Sequence, residues 1–441
     1  MHNKNITGTY TETKTIPMLN AAEIIVVGGG SAGIMAALAA ARLGGKVLLI
    51  DPSSAPGGTS IIGLPLAGFH DGVRQVVRGI PGEFMDRLRD RGGLSGGIEQ
   101  RFIPSDPEMI KMIAIEMLEE AGVELLLHTM VVDAITEEGL VSGVIVEGKG
   151  GRRLLRAKMF VDASGDGDVC HFAGVPMMKE AGELQPPTLM FVVGNMEMNT
   201  YIAAGGYSML IAKYREISAQ QHFRNPRRSE LSGGWRVGLR ENELAFNVTR
   251  VLHIDATDPW DLTKAEIEGR HQAWEFLHDF LRPHVPGFEN AFITNTFHRV
   301  GVRETRRIMG EYVIHEDDLW HFRKFEDAIC CGCYPIDVHN ANNETTLFPP
   351  ELFYNGNYYT IPYRALVPLG INNIIVAGRC LSADHIAFGG LRVIGNTMGM
   401  GQAAGTAAAL CLQHNATPRL LDVSLLRRTL HANGAFLGES T

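Results

Sequence analysis

The sequence lacks the features that mark secreted, disulfide-stapled or nucleic-acid-binding proteins. Six cysteines in 441 residues are too few for a disulfide scaffold and fit a reducing compartment. The first 20 residues contain no apolar leader core, so we expect a cytoplasmic protein. The net charge is −9 and no long basic run occurs, so we expect neither nucleic acid nor a membrane surface as a partner.

Long uninterrupted apolar runs are also missing. The two richest segments, 24–50 and 393–412, are broken by glycines and by charged or amide side chains. We therefore expect no transmembrane helix, and 393–412 predicts a buried helix packed through small residues. Internal repeats and low-complexity segments are absent. The length and the 45% hydrophobic content predict a globular protein of two to three domains.

What the sequence does contain is a complete strand, glycine turn, helix and strand near its start. The apolar run Ile24 to Val27 leads into Gly28 to Gly33, which reads GxGxxG, and an alanine-rich segment leads to a second apolar run ending at Asp51. The glycines permit a tight turn, close approach of a pyrophosphate, and close packing of helix on strand. The helix N-terminus then faces the phosphates, and Asp51 is placed to accept from ribose hydroxyls. The unit predicts a dinucleotide cofactor.

Helix N-caps and alternating apolar residues predict further helices and strands. Asp106 and Pro107 predict the start of a helix that ends near Gly122. A second helix is predicted over 258–280, with Thr263 and Glu266 as its capping box. Three alternating runs at hairpin spacing predict a meander, namely 131–136, 141–147 and 154–161.

Four segments carry a resemblance to a known family: 28–33 (GGGSAG), 161–168 (VDASGDGD), 301–312 (GVRETRRIMGEY) and 361–409. Together they resemble the glutathione-reductase-like flavoproteins, in particular the FAD-dependent oxidoreductases related to fumarate reductase flavoproteins. The resemblance implies an α/β fold with a discontinuous Rossmann-like FAD-binding domain, over 21–180 and 345–430, and a second α+β substrate or cap domain over 181–344. It also implies that a helix beginning near Val393 points its N-terminus at the flavin.

FAD is favoured over NAD as the resident cofactor. A second nucleotide fold is missing, and the GxGxxA of Gly399 to Ala404 lies in the middle of a predicted helix. No CxxC follows the first strand–helix–strand unit, which disfavours a disulfide reductase. The predicted cofactor-binding residues are Gly28, Gly30, Ser31, Ala32, Gly33, Asp51, Gly58, Thr59, Ser60, Val132, Ser164, Gly165, Asp168, Gly378, Arg379, Arg392 and Met398.

Two residues are predicted to act on the substrate. Arg303 belongs to an arginine cluster over 299–307, in which Arg299, Arg303 and Arg307 share a helical spacing. Such a cluster has two interpretations: it clamps a carboxylate of the substrate, or it forms structural salt bridges. His385 follows the predicted flavin-contacting segment and is the candidate proton acceptor. An alternative role is a covalent flavin tether, through His385 or Cys380. The reserve candidates for the proton acceptor are His298, His339 and Tyr359.

The cysteines at 330, 331 and 333 include a CxxC spacing. A zinc site needs about four ligands, and no second Cys/His pair stands at a matching distance. We therefore predict no metal site and interpret the three thiols as buried groups lining a strand.

These patterns predict an FAD-dependent oxidoreductase that transfers a hydride between a small molecule and flavin N5. The expected substrate is an alcohol or amine, with or without a carboxylate. Two alternatives remain open, a fumarate-reductase-like reductase of an activated C=C bond and a non-catalytic flavin-binding protein. The sequence names a small-molecule substrate as partner and leaves the electron acceptor and a homo-oligomeric state open.

Overall fold

Helices and strands alternate along most of the chain, as an α/β fold requires. The computed structural model describes residues 8–180, 182–226, 231–343 and 345–438. The helices are α1 (Ser31–Arg42), α2 (Ile80–Asp90), α3 (Pro107–Glu120), α4 (Asp168–Phe172), α5 (Met198–Ala203), α6 (Gly206–Gln220), α7 (Pro259–Glu275), α8 (Arg282–His284), α9 (Glu316–Trp320), α10 (His385–Leu391), α11 (Ile394–Gln413) and α12 (Val423–Ala432). The strands are β1 (Met18–Asn20), β2 (Ile24–Val27), β3 (Val47–Ile50), β4 (Leu66–Ala67), β5 (Phe102–Ile103), β6 (Glu124–Leu126), β7 (Met130–Glu137), β8 (Leu140–Gly148), β9 (Gly151–Arg156), β10 (Met159–Asp162), β11 (Met177–Met178), β12 (Phe191–Gly194), β13 (Gly233–Val237), β14 (Arg240–Phe246), β15 (Phe292–Asn295), β16 (Arg307–Ile308), β17 (Ala328–Gly332), β18 (Val338–His339), β19 (Thr346–Leu347), β20 (Tyr359–Pro362) and β21 (Ile374–Val376).

A five-stranded parallel sheet organises the predicted nucleotide unit. Its strand order is β21-β10-β2-β3-β6, and every residue of β2, β3, β10 and β21 is buried. Strands covered on both faces need continuous apolar runs, which is why these segments show no alternation. The register pairs Val27 with Ile50 and with Asp162, and Asp162 with Val376. The carboxyl ends of four strands therefore meet at one edge, where ligands bind in open α/β sheets.

The predicted meander forms, but its third run is shorter than expected. Strands β7, β8 and β9 pair antiparallel, and β1 adds to β9 in parallel. The run predicted over 154–161 is wrong as one strand, because the chain breaks after Arg156 and resumes at Met159 in the parallel sheet. Burial explains the break, since β9 is mostly exposed whereas all four residues of β10 are buried.

Helix α11 crosses α1 at very short range. A Cβ on Gly401 would lie 2.1 Å from the Ala32 carbonyl oxygen, and one on Gly405 would lie 2.0 Å from that of Ala36. The prediction of a buried helix packed through small residues is confirmed, and the GxGxxA pattern lies within that helix. No described helix has both the length and the apolar character needed to cross a membrane.

A second, antiparallel sheet has the order β13-β14-β12-β15 and packs with α5, α6 and α7 around its own hydrophobic core. That core draws on residues 189–300, whereas Ile308 to Val338 belong to the first core. The chain thus passes from the second core to the first near residue 300. The predicted cap domain, which ends at 344, therefore includes a segment that packs with the core of the nucleotide-binding unit.

The predicted helix over 258–280 is present but is capped differently. Asp258 is the N-cap and accepts from the Trp260 N–H at 2.7 Å. The predicted capping box is wrong, because Thr263 lies inside the helix and donates to the Pro259 carbonyl. After Glu275 the α-helix continues as a short π-helix over Phe276–Leu281. Helix α3, which precedes it in the chain, begins as predicted, because the Asp106 carboxylate accepts from the Glu108 N–H at 2.9 Å.

Candidate functional site

The glycine turn has the geometry that the GxGxxG pattern predicts. Gly28 has φ +100°, and a Cβ there would lie 2.3 Å from the Ala163 oxygen. A Cβ on Gly33 would lie 1.7 Å from the Gly28 oxygen, so helix and turn meet backbone to backbone. A Cβ on Gly30 would instead meet only the Gly58 Cα, at 3.8 Å. The space in front of Gly30 is therefore open, as a pyrophosphate requires.

The two helices predicted to face the cofactor lack side-chain caps. Gly30 and Val393, the N-caps of α1 and α11, make no capping bond, and neither first turn carries an acid. By contrast, α3, α7 and α12 are each capped by an aspartate. The N–H groups at the first turn of a helix have no partner within the helix. Uncapped N-termini without acids fit the pyrophosphate and the electron-rich flavin carbonyls.

Asp51 lies at the carboxyl end of β3 and is buried. Its carboxylate accepts from the Gly29 N–H at 2.6 Å and from the Ser53 N–H at 2.7 Å. These bonds fix the carboxylate beside the turn, and a carboxylate has about four acceptor positions, which leaves capacity for ribose hydroxyls. Ser31 and Ser60 join the two sides of the turn through their hydroxyls at 2.7 Å.

The remaining predicted cofactor residues fall into two groups. Gly58 and Thr59 belong to a 3₁₀ helix beside the glycine turn, Val132 is half-buried in β7, and Met398 is buried in α11. Gly378 follows β21 with φ +94°, and its Cβ would lie 3.1 Å from the Ala32 Cβ. Of these residues, Gly378 follows a strand of the parallel sheet at the edge where the carboxyl ends meet. The open space at Gly30 and the uncapped N-termini of α1 and α11 fit FAD.

The VDASGDGD segment forms a chain of polar contacts after β10. Ser164 donates to Asp162 at 2.7 Å, and Asp168 pairs with Arg306. Burial and the neighbouring carboxylates raise the pKa of Asp168 to about 7. Next to it, Asp166 accepts from Arg379 at 2.8 Å. These pairs connect the predicted cofactor residues to the segment that follows residue 300.

A Cβ on Gly165 would lie 2.8 Å from a terminal nitrogen of Arg379, so the guanidinium packs on this glycine. The side chain of Arg379 also donates to Thr305 at 3.2 Å. Glycine at position 165 therefore gives Arg379 the room to reach its two partners.

The predicted helical spacing of the arginine cluster is wrong. Residues 301–308 form no helix, with Gly301 bridged to Thr188 and β16 paired with β11. Neighbouring arginines consequently point to different partners, Arg306 to Asp168 and Arg307 to Glu180 and Glu304. Those two form structural salt bridges, as one of the two interpretations of the cluster proposed. The remaining members are Arg299, which is half-buried, and Arg303, which is buried.

His385 is the first residue of α10 and lies beside the acidic side chains that pair with Arg307. Its Nδ1 lies 3.0 Å from the Glu304 Oε1, while Asp384 caps the Ala387 N–H instead of orienting the imidazole. Burial lowers the pKa of His385, but the hydrogen bond and charge of Glu304 outweigh burial and raise it above its ordinary value. Glu180, Glu304 and His385 have ligand atoms within 4.8 Å of one another, and Arg307 already pairs with both carboxylates.

Arg303 lines a cavity of about 480 Å³ that lies between the two hydrophobic cores. Thr59, Arg379 and Arg392 of the predicted cofactor set line it as well, together with Asp337 and His339. This volume falls in the range of small-molecule sites. His385 is not among the lining residues, so the predicted anchor and the predicted proton acceptor occupy different surroundings.

Asp337, which is half-buried, and the buried His339 form a pair in this cavity. The Nε2 of His339 lies 3.2 Å from the Asp337 carboxylate, and its Nδ1 lies 2.6 Å from a terminal nitrogen of Arg250. Arginine only donates, so Nδ1 accepts and Nε2 carries the hydrogen. Burial and the Arg303 charge lower the pKa of His339 to about 3, which keeps the ring neutral.

The pKa of Asp337 lies below its usual range. Burial opposes this shift, but the hydrogen bond from His339 and the charges of Arg392 and Arg303 overcome it. Asp337 therefore stays ionised in the cavity. His339 was predicted only as a reserve candidate, and Asp337 was not predicted. The available signal was the DVH triplet of 337–339, which directly follows the buried segment 328–336.

The two remaining reserve candidates do not line the cavity. The Tyr359 hydroxyl bonds to the carbonyl groups of Tyr334 and Gly390 and to Asn396. His298 is largely exposed, and partial loss of solvent together with the charge of Arg299 lowers its pKa.

The cysteines are buried. Those at 330, 331 and 333 lie in or directly after β17, which confirms the interpretation of thiols lining a strand. The Sγ of Cys380 lies 3.6 Å from the Asp162 carbonyl oxygen and 3.9 Å from that of Ala377. The Cys380 thiol thus bonds to backbone carbonyl groups.

Comparison with known proteins decides the family. The model of the family described as FAD dependent oxidoreductase matches residues 23–430. The chain belongs to this family. This FAD-dependent oxidoreductase is therefore an enzyme whose cofactor is FAD, with a Rossmann-like FAD-binding domain and a second domain. No curated protein matches the chain.

Solved structures resemble this FAD-dependent oxidoreductase at low identity. A geranylgeranyl bacteriochlorophyll reductase-like protein from Thermoplasma acidophilum is 14% identical, with a TM-score of 0.45, over 96% of this chain and 85% of that one. The p-nitrophenol 4-monooxygenase PnpA from Pseudomonas putida is 13% identical, with a TM-score of 0.44, over 95% and 89%. The flavin-dependent brominase Bmp2 is 15% identical, with a TM-score of 0.42, over 93% and 83%. The finer kinship with fumarate reductase flavoproteins stays a prediction.

Proposed function

We propose that this enzyme oxidises a small alcohol or amine in the cavity beside Arg303. FAD, when bound, supplies hydride acceptance at N5. The substrate carbon loses a hydride and its hydroxyl or amino group loses a proton, which leaves a carbonyl or imine. The chain must therefore provide an anchor, a dry pocket and a group that receives the proton.

The observation that carries this proposal is the meeting of predicted cofactor residues with an ionised carboxylate in one cavity. Asp337 lies there beside Arg392 and Arg303, and its partner His339 is held in one tautomer by Arg250. A carboxylate that stays ionised accepts a hydrogen bond from a hydroxyl or ammonium group. We assign Asp337 to orient that group through a hydrogen bond, with His339 as a positioning residue. Arg303 remains the proposed anchor.

His385 remains the proposed proton acceptor, as the sequence predicts. The hydrogen bond and charge of Glu304 raise its pKa, which makes its neutral imidazole a stronger base, whereas the lowered pKa of Asp337 makes that carboxylate a weak one. His385 is not among the lining residues of the cavity, so the proton must be passed to it from the cavity.

Anaerobic stopped-flow spectroscopy tests the proposal. A panel of small alcohols and amines is mixed with the oxidised holoenzyme, and the flavin absorbance is followed. The expected result is bleaching by at least one member of the panel, slowed about tenfold or more in Asp337→Asn because a neutral amide replaces the charged acceptor that orients the substrate group. A holoenzyme that no alcohol or amine bleaches, or an Asp337→Asn variant that bleaches at the original rate, contradicts the assignment.

A second candidate is the reduction of an activated C=C bond, in line with the predicted kinship to fumarate reductase flavoproteins. Arg303 and Arg392 both line the cavity, and an arginine would donate the proton in that direction. Reoxidation of the photoreduced enzyme by an enoate, without bleaching by any alcohol or amine, would favour this candidate over the first.

A further inference from the structure

A chain of aromatic rings forms one wall of the cavity. Phe102 lies 6.2 Å from Trp235 and 6.4 Å from Tyr334, measured between ring centroids, and Tyr334 lies 6.0 Å from Phe348. All four residues line the cavity. These separations are typical of interacting aromatic pairs.

The four rings come from separate parts of the fold. Phe102 belongs to β5, Trp235 to β13, Tyr334 follows β17, and Phe348 follows β19. Phe102, Trp235 and Phe348 are only half-buried, so part of each ring surface faces open space. A ligand ring placed there gains both apolar contact and edge or face interactions, which a saturated ring of similar size does not.

Two arginines, Arg303 and Arg392, line another part of the same cavity. Arg392 donates from Nη2 to the Gln185 Oε1 at 3.2 Å and to the Asp337 carbonyl at 2.9 Å. Gln185 is 1% exposed and does not itself line the cavity, so its part is to hold Arg392 in place. Arginine side chains that line a cavity suit a carboxylate.

We propose that the substrate is an aromatic carboxylate, with its ring against Phe102, Trp235 and Phe348 and its carboxylate at Arg392 and the anchor Arg303. The claim that this compound is the substrate rests on the proposed function. The claim that it binds in the cavity does not. The oxidised hydroxyl or amino group then lies on the carbon chain between ring and carboxylate, where Asp337 is available.

Three probes separate the two recognition elements. Phenylacetate carries both, cyclohexylacetate lacks the aromatic ring, and 2-phenylacetamide lacks the charge. Dissociation constants are measured on the FAD-loaded enzyme by calorimetry and by the change in the flavin spectrum. Phenylacetate is expected to bind about tenfold more tightly than either analogue. Equal binding of all three, or binding of none, overturns the proposal.

Variants locate the two elements. Trp235→Leu is expected to weaken phenylacetate binding about 3- to 10-fold and cyclohexylacetate binding less, whereas Trp274→Leu, which removes a 61% exposed ring on α7, changes neither. Arg392→Gln and Gln185→Leu are expected to weaken binding of phenylacetate but not of phenylacetamide. Gln185→Leu is decisive if Arg392→Gln loses FAD. Equal losses for both probes would contradict the carboxylate assignment.

Mandelate and phenylglycine then connect binding to chemistry, because both add an oxidisable group to the phenylacetate skeleton. Binding of phenylacetate without bleaching by any alcohol or amine would leave this site intact and remove the proposed function. Bleaching by aliphatic amines in an enzyme that does not bind phenylacetate would do the reverse.

Discussion

Gly401 of α11 packs directly against the backbone of Ala32 in α1, and a Cβ on the glycine would lie 2.1 Å from the Ala32 oxygen. Ala32 follows the first residue of the helix whose N-terminus is predicted to face the pyrophosphate. The contact therefore holds the two helices with cofactor-facing N-termini in one rigid arrangement.

Gly401→Ala is expected to destabilise the protein by about 1–3 kcal/mol, because the added methyl forces the helix backbones apart. Urea unfolding of the wild type and the variant measures the loss. Gly82→Ala is the matched control, since Gly82 lies in α2 and its Cβ would meet only the Gln75 amide at 3.5 Å. Alanine favours the helix by up to about 1 kcal/mol, so the control should be neutral or stabilising. Equal effects of both substitutions would contradict the close-packing argument.

Gly30→Ala is expected to weaken FAD binding about tenfold or more while leaving the fold intact. The φ of Gly30 is −77°, which alanine adopts freely, and the new Cβ would meet only Gly58 at 3.8 Å. The methyl group would instead fill the space that the pyrophosphate needs. FAD titration followed by fluorescence, with circular dichroism of the apoprotein, measures both effects.

Gly28→Ala provides the contrast to that variant. Its φ is +100° and its Cβ would lie 2.3 Å from the Ala163 oxygen, so this substitution should lower the apoprotein stability itself. Unchanged FAD affinity in Gly30→Ala would remove the cradle assignment.

Asp258→Ala is expected to cost about 0.5–2 kcal/mol of unfolding free energy, because the N-cap bond to the Trp260 N–H is lost. Thr263→Ala is the control, since that hydroxyl donates only to the Pro259 carbonyl on an exposed helix face. Its effect should stay within about 0.5 kcal/mol. A larger loss for Thr263→Ala than for Asp258→Ala would restore the capping box that the sequence predicted.

The local geometry that the structure shares with the sequence prediction depends on short stretches of chain. Gly28, Gly30 and Gly33 lie within a single turn, and the close approaches there follow from the absence of a Cβ. Asp106 was likewise predictable as a cap, because its partner is two residues away. The capping box at Thr263 failed because an equally local signal, Asp258 before a proline, begins the helix five residues earlier.

The cavity was not predictable in the same way, because its residues come from distant segments. Arg250 reaches His339 across 89 residues, and His385 reaches Glu304 across 81. No periodicity brings such pairs together, because they depend on how distant strands and loops pack. The arginine cluster illustrates the point, since a helical spacing has no meaning in a segment that forms no helix.

The hydrogen bond between His385 and Glu304 predicts a pH-dependent contribution to stability. The pKa of His385 is raised in the folded state, so its stabilisation is fully present below the ordinary value of 6.5 and is lost as the pH rises through the folded pKa. The pKa of Glu304 is lowered despite burial, through its bond to His385, so its share is present above the ordinary value of 4.5 and is lost as the pH falls through the folded pKa. The pair therefore stabilises the fold most between these two limits.

His385→Gln keeps a hydrogen-bond donor but cannot carry a positive charge. The substitution is expected to cost about 1–2 kcal/mol of unfolding free energy at pH 6, since bonds between charged partners exceed neutral ones by about this amount, and less at pH 9. Urea unfolding at both pH values measures the difference, and His431→Gln, at an exposed position in the last turn of α12, is the control. A cost for His385→Gln that is the same at pH 6 and pH 9 would mean that the imidazole is neutral in the fold, and the charged pair with Glu304 would have to be abandoned.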